Sequence, residues 1–282
     1  MSRIEEALEK AAKMRSGSAP GRDFENPGIA SYPAAPVSGE QITVTNQLLI
    51  AANDPHTPAA EEYRKLKSNI VRMTKGDQFN NMLMVTSAVG SEGKSITALN
   101  LAISLAQEYD HTVMLIDADL RKPSLQGYLG LKNTRGLAEC LLDGLDIKDA
   151  LIKTGIGRLS LLPAGRQMRN PTEIFSSQRA RTFFTEIRNR YHDRYIVIDT
   201  PPALPFSETR SISGFVDGVV LVVKEGVVSL EKVAETIECL KGPTLLGIVF
   251  NQATAEGCGN LHQYYRSGYG SGRESATRQA SA

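Results

Sequence analysis

The chain has 282 residues, is 41% hydrophobic and 22% charged, and carries a formal net charge of +1. Such a balance is ordinary for a soluble α/β protein and excludes a global field that would draw the chain to nucleic acid or anionic lipid. Cys140, Cys239 and Cys258 are odd in number and far apart, which excludes a disulfide framework or a CxxC metal knuckle. No apolar run reaches the ~18 residues of a membrane span. The charged opening "MSRIEEALEK" also lacks a secretory core. A cytoplasmic location is expected, so work at a membrane would need a recruiting partner.

In chain order, residues 1–14 read as a short amphipathic helix. Ser2 and Glu5 have capping-box spacing, and Ile4, Ala7, Leu8, Ala11 and Met14 share one face. So short a helix is marginal alone, and its apolar face needs somewhere to dock. The Gly, Pro, Ser and Ala of residues 16–40 read as a flexible linker; its bounds are taken as 15–45. A helix is expected over 58–73. Strand 82–87, helix 94–109 and strand 112–117 follow. Then come strand 159–164, helix 177–191, strand 195–199, strand 218–223, helix 230–240 and strand 245–250. The strands are continuous apolar runs, as expected of strands covered on both faces. Alternation of strand and helix predicts a mostly parallel, doubly wound α/β sheet flanked by helices, in a domain over 46–253. From Thr254 to Ala282 apolar content falls and a disordered tail is expected. Within it, "QYYRSGYGSGR" (263–273) carries Tyr264, Tyr265 and Tyr269 among Gly, Ser and Arg, with no apolar residue in that stretch to bury the rings against.

The motif with the most chemistry is "TSAVGSEGKS", between a strand and a helix. Gly90, Gly93, Lys94 and Ser95 give GxxGKS, with Ala88 where the P-loop pattern has its first glycine. Backbone amides of such a loop turn inward on phosphate oxygens, and the helix N-terminus adds positive potential. The cradle is assigned to Gly90, Ser91, Glu92, Gly93, Lys94, Ser95 and Ile96. Lys94 would reach the β and γ phosphates, and the Ser95 hydroxyl would hold Mg²⁺. Asp117 and Asp119 lie just past one strand, with Arg121 beyond, and Asp199 ends another. Ligands of parallel sheets bind at the carboxyl ends of strands, so these carboxylates should converge on the loop. The class is a P-loop NTPase acting on Mg·ATP or Mg·GTP.

"VMLIDADLR" resembles the second Walker motif of the bacterial tyrosine kinases, and "YIVIDTPP" resembles that family's Walker B. "RGLAECLLDG", "LSLLPAGRQMRNPTEIFSSQR" and "DGVVLVVKEGVVS" are also similar to it, so the resemblance covers roughly residues 58–251. The tyrosine-rich tail is the family's further hallmark. The start "MSRIEEALEKA" with its linker resembles the exosortase-associated tyrosine autokinases. Those are free-standing cytoplasmic kinases that accompany membrane-anchored polysaccharide chain-length regulators.

The resemblance implies ATP and Mg²⁺ as cofactors, a role in exopolysaccharide polymerisation and export, and recruitment to the inner membrane through the regulator. It implies Asp117 as base toward the tyrosine hydroxyl, Asp119 and Asp199 with Ser95 at the metal, and Tyr264, Tyr265 and Tyr269 as phosphoacceptors. Arg121 would pair with phosphate or brace the carboxylates, and Asn251 would lie near the adenine. "EEYRKLK" resembles the family's ring-packing helix and offers Glu61, Arg64 and Lys67, with lysine where the family has a second arginine. The alternative is a MinD/ParA-type ATPase switch or an ATP-dependent scaffold. Against it, Val89 stands where those ATPases carry an extra lysine.

Overall fold

The computed structural model describes residues 45–76, 79–108, 111–132 and 135–254. The expected helix over 1–14, nearly all of the linker, and the tail with Tyr264, Tyr265 and Tyr269 lie outside the described residues. The elements are α1 (Ile50–Asn53), α2 (Pro58–Thr74), β1 (Met82–Ser87), α3 (Lys94–Ala106) and β2 (Thr112–Asp117). Then come α4 (Leu125–Tyr128), α5 (Leu137–Asp143), α6 (Ile147–Ala150), β3 (Ile152–Lys153), β4 (Leu159–Leu162), α7 (Thr172–Phe175) and α8 (Gln178–Arg190). The last are β5 (Arg194–Asp199), α9 (Ser207–Ser213), β6 (Gly218–Lys224), α10 (Leu230–Cys239) and β7 (Thr244–Asn251).

The sheet has seven strands in the order β3-β4-β2-β5-β1-β6-β7. All pairs are parallel except β3 with β4. Strand β1 thus lies between β5 and β6, and β2 lies beside β5. Asp117 and Asp199 are register partners, and Val85 pairs with Asp199 on the other side. The carboxyl ends of β1, β2 and β5 therefore form one short row, which is what brings the P-loop and the two carboxylates together.

Local chemistry sets the element starts. Thr57 caps α2, accepting from Ala60 N at 3.3 Å, and Pro58 occupies the first helical position, where its missing N–H costs nothing. Ser177 and Ser229 cap α8 and α10 in the same way. Helix α3 is buried at almost every position, packed between the sheet and the α1–α2 segment. Asn100 locks that packing: its side chain accepts from Ala51 N at 2.9 Å and donates to Leu48 O at 2.9 Å.

Helix α3 stops at Ala106, short of the expected 109, because Arg158 N takes the Ala106 carbonyl at 3.1 Å. Strand β4 stops at Leu162, short of 164, because the next carbonyls turn away: Pro163 O and Ala164 O accept from Leu137 N and Ala138 N at the start of α5. The strands are not all covered on both faces. In β7, Leu245, Ile248 and Phe250 are 38%, 48% and 50% exposed. The reason is position, since β7 is the sheet's edge and α10 lies over β6.

Candidate functional site

The loop 88–93 joins β1 to α3 and is braced from three sides. Ala88 O accepts from Leu204 N at 3.2 Å and Ser87 O from Ala203 N at 2.8 Å, so the chain after Asp199 is laced to the loop. Glu92 is fully buried; its carboxylate accepts from Val89 N at 2.7 Å and Lys224 N at 3.3 Å. Glu92 is thus an internal strut of the cradle rather than a group offered to a ligand. Asn251 Nδ2 donates to Glu92 O at 2.8 Å. Asn251, expected near the adenine, is placed here as a clamp on the loop's backbone. Gly93 is needed here: its φ is +94°, and a Cβ would sit 2.0 Å from Asn251 Nδ2. Ser91 also adopts a left-handed φ, 66°.

Lys94 opens α3, and its ammonium lies 3.0 Å from Ser95 Oγ, 3.1 Å from Asp119 Oδ2 and 3.6 Å from Asp199 Oδ1. Burial works against that charge, but Asp199 and Asp119 outweigh it and hold the Lys94 pKa above the ordinary lysine value. Asp199 is fully buried, and neither carboxylate oxygen has a hydrogen-bond partner. Burial pushes its carboxyl upward, opposed mainly by Lys94. A hard cation, or water held by one, would satisfy those oxygens. The described residues hold no cluster of three or more acidic, His or Cys ligands. The donor set suits Mg²⁺, which keeps waters and substrate oxygens rather than an all-protein cage.

Asp117 is fully buried and tied by backbone amides. Oδ1 accepts from Asp119 N at 3.2 Å, and Oδ2 accepts from Ser124 N and Leu125 N at 3.0 and 3.1 Å. Burial, with the neighbouring Asp199 charge, lifts its pKa from 3.8 to about 7 despite those amides and Lys94. Asp119 Oδ1 accepts from Lys122 N at 2.9 Å, which folds the Asp119–Lys122 turn back on itself. The structure therefore gathers Lys94, Ser95, Asp117, Asp119 and Asp199 at one place.

Arg121 is turned elsewhere. Its guanidinium pairs with Glu208, donates to Arg169 O at 2.6 Å and stacks over Phe206 at 4.8 Å. Of the two roles left open for Arg121, a phosphate ligand or a brace, the side chain is here a brace on Glu208, a carboxylate outside the aspartate row, and that carboxylate fills its planar fork. Glu208 is fully buried and also accepts from Thr172 Oγ1 at 2.8 Å. Burial raises its pKa, but donation from Arg121, its own amide and Thr172 outweighs this and holds it below the ordinary value. Sequence reading did not single out Glu208, because a lone acid in "PFSETR" has no spacing to flag it. A depressed pKa means stability that is present above the unfolded value and lost as pH falls through the folded one. Glu208→Gln is expected to lower unfolding free energy by about 1–3 kcal/mol at neutral pH, with the gap closing toward acid. Urea titrations at two pH values check this.

Of the expected subunit-contact residues, Glu61 and Arg64 pair with each other on a part-exposed face of α2. Lys67 departs from them. It is 15% exposed at the side chain and bonds Glu108 at 2.7 Å, so it ties α2 to the end of α3 within the chain.

Against known proteins, residues 80–243 match the AAA domain family. The chain is 35% identical over 205 residues to the tyrosine-protein kinase YwqD of Bacillus subtilis (strain 168), covering 72% of this chain and 85% of YwqD. The chain belongs to the bacterial tyrosine kinase family. The kinase also superposes on the chimerical protein CapA2B2 with TM-score 0.66 and 30% identity, covering 72% of this chain and 89% of that one. The kinase domain of Escherichia coli tyrosine kinase ETK gives TM-score 0.66 at 26% identity, with 73% and 82% covered. The P-loop, the Asp117–Asp199 row and the seven-stranded sheet are thus those of a nucleotide-binding protein-tyrosine kinase.

Proposed function

We propose that this kinase transfers the γ-phosphoryl group of Mg·ATP to tyrosines of its own C-terminal tail, at Tyr264, Tyr265 and Tyr269. The observation that carries the reading is the buried Asp117, poised at about 7 beside Asp199 and the P-loop lysine. A phenol titrates near 10 and needs a base to attack at neutral pH. A carboxyl held near 7 and fixed by backbone amides suits that task. Lys94 offsets charge developing on the transferred group, and Ser95, Asp119 and Asp199 would hold the metal. Mg²⁺, when bound, neutralises phosphate charge and aligns the phosphoryl group for transfer. The loop 90–93 supplies backbone amides, held rigid by Glu92 and Asn251.

Among the described residues no helix is long and apolar enough to cross a membrane. The N-terminal resemblance to exosortase-associated autokinases supports service to exopolysaccharide polymerisation and export. In that setting a membrane-anchored chain-length regulator would recruit the kinase to the inner membrane. Self-association through the Glu61–Arg64 face of α2 would carry each tail to a neighbour's site, with Lys67 stiffening α2 from within. Mass spectrometry of the tail after incubation with Mg·ATP tests the reading. Phosphate on Tyr264, Tyr265 or Tyr269 is expected. ATP hydrolysis without phosphotyrosine would overturn it in favour of a ParA-type switch.

A further inference from the structure

Asp119 sits where the sheet has stopped fixing the backbone. Asp117 ends β2 and is held by ladder register against Asp199. Past it, Ala118 N still donates to Asp199 O at 2.8 Å. From Asp119 to Lys122 the chain bends outside any helix or strand. The place of the Asp119 carboxylate is therefore set by whatever grips that turn. Met168 N donates to Leu120 O at 2.8 Å, and Gln167 Nε2 donates to Arg121 O at 2.5 Å. Both come from 165–171, a segment that is itself irregular.

Glu208 grips the same turn from a firmer base. It lies in the first turn of α9, and the chain leading to α9 is laced to the P-loop by Ala203 N to Ser87 O and Leu204 N to Ala88 O. Thr209 Oγ1 adds a bond to Pro201 O at 2.8 Å. The Glu208 carboxylate is fully buried and fixed by Thr172 Oγ1 at 2.8 Å. It takes Arg121 through two nitrogens, Nε on Oε1 and Nη2 on Oε2, the second at 3.4 Å. A planar fork on a buried carboxylate has little play. The contacts close a circuit. It runs from the P-loop through 203–204 to Glu208, through Arg121 along the turn to Asp119, and from Asp119 Oδ2 back to Lys94 at 3.1 Å.

We propose that Glu208 is a positioning residue for the metal: by holding Arg121 it sets the Asp119 carboxylate at its proper distance from Ser95 and Asp199. The proposal rests on the reading of Asp119, Ser95 and Asp199 as the groups that hold Mg²⁺. That ion demands near-ideal octahedral geometry at about 2.0–2.1 Å. A small displacement of one oxygen thus weakens metal binding far more than it weakens nucleotide binding, which depends on the loop amides. Partners one step behind a metal ligand typically change metal affinity by about 10–100-fold.

A fluorescent ADP analogue, titrated onto the full-length protein in EDTA and then over a range of Mg²⁺ concentrations, tests this without phosphotransfer. Glu208→Gln is expected to leave affinity in EDTA unchanged and to need about ten-fold more Mg²⁺, or more, for half of the metal-dependent gain. Arg121→Lys keeps the charge and loses the fork, and should shift the Mg²⁺ midpoint in the same direction; it carries the test if Glu208→Gln does not fold. Because Glu208 acts through Asp119, Glu208→Gln/Asp119→Asn should be no worse than Asp119→Asn alone. Arg188→Met is the control for lost stability, since it breaks an ion pair with Asp217 at the amino end of the strands. A wild-type midpoint in Glu208→Gln or, failing its folding, in Arg121→Lys would overturn the proposal. So would additive effects in the double variant, or an equal shift in Arg188→Met. If Asp119→Asn itself leaves the midpoint in place, the metal reading of Asp119 falls and takes the proposal with it; a shift in Asp119→Asn without one in Glu208→Gln removes the proposal alone.

Discussion

Lys94→Met is expected to reduce tyrosine phosphorylation about a thousand-fold or more while leaving a folded protein. Among the described residues only Lys94 places a positive charge between Ser95, Asp119 and Asp199. Methionine fills a similar volume and cannot offset charge on a transferred phosphoryl group. Asp119 and Asp199 would lose their shared cation, with side chains 7% and 0% exposed. Buried carboxylates in that position take up protons rather than stay charged. The variant should therefore unfold more readily as pH rises, and more steeply than the wild type does. Phosphotyrosine formed from labelled ATP, with thermal unfolding at several pH values, checks both parts. Near-normal phosphorylation would remove Lys94 from the phosphate site.

Asp117→Asn is expected to lower phosphotyrosine formation by about 10²–10⁴-fold and to spare most ATP binding. Its side chain keeps its size but can no longer accept a proton at neutral pH. In the wild type, kcat/KM should climb with pH through about 7, where Asp117 ionises, and the variant should lack that limb. The sign for stability follows from the same shift. The folded carboxyl titrates at about 7 and the unfolded one near 3.8. Between those values the folded state holds a proton that the unfolded state has lost. This group's contribution to stability is therefore complete below the lower value and declines as pH rises to about 7. Asp117→Asn should flatten that decline in nucleotide-free protein. A variant that kept both its rate and its pH profile would place the base elsewhere.

The sequence by itself determined the parallel sheet, the P-loop and the three aspartates. These are local facts: apolar runs bounded by turns, and GKS or Asp at strand ends. The starts of α2, α8 and α10 fell within a residue of the expected 58, 177 and 230, since each is set locally by Thr57, Ser177 or Ser229 accepting from an amide three residues on. The family was legible too, because its motifs are short and keep their spacing. Helix and strand ends were less so: Ala106 stops α3 because of Arg158, a residue brought in by a different loop. Only the tertiary structure pairs Arg121 with Glu208 and Lys67 with Glu108. Partners 87 residues apart in sequence, such as Arg121 and Glu208, leave no periodic trace. Asn251 and Glu92 likewise meet across 159 residues, and that contact alone shows that the end of the last strand holds the P-loop. The open face of β7 was also decided in three dimensions. Its apolar run reads like that of a central strand, and only the strand order places it where one helix cannot reach.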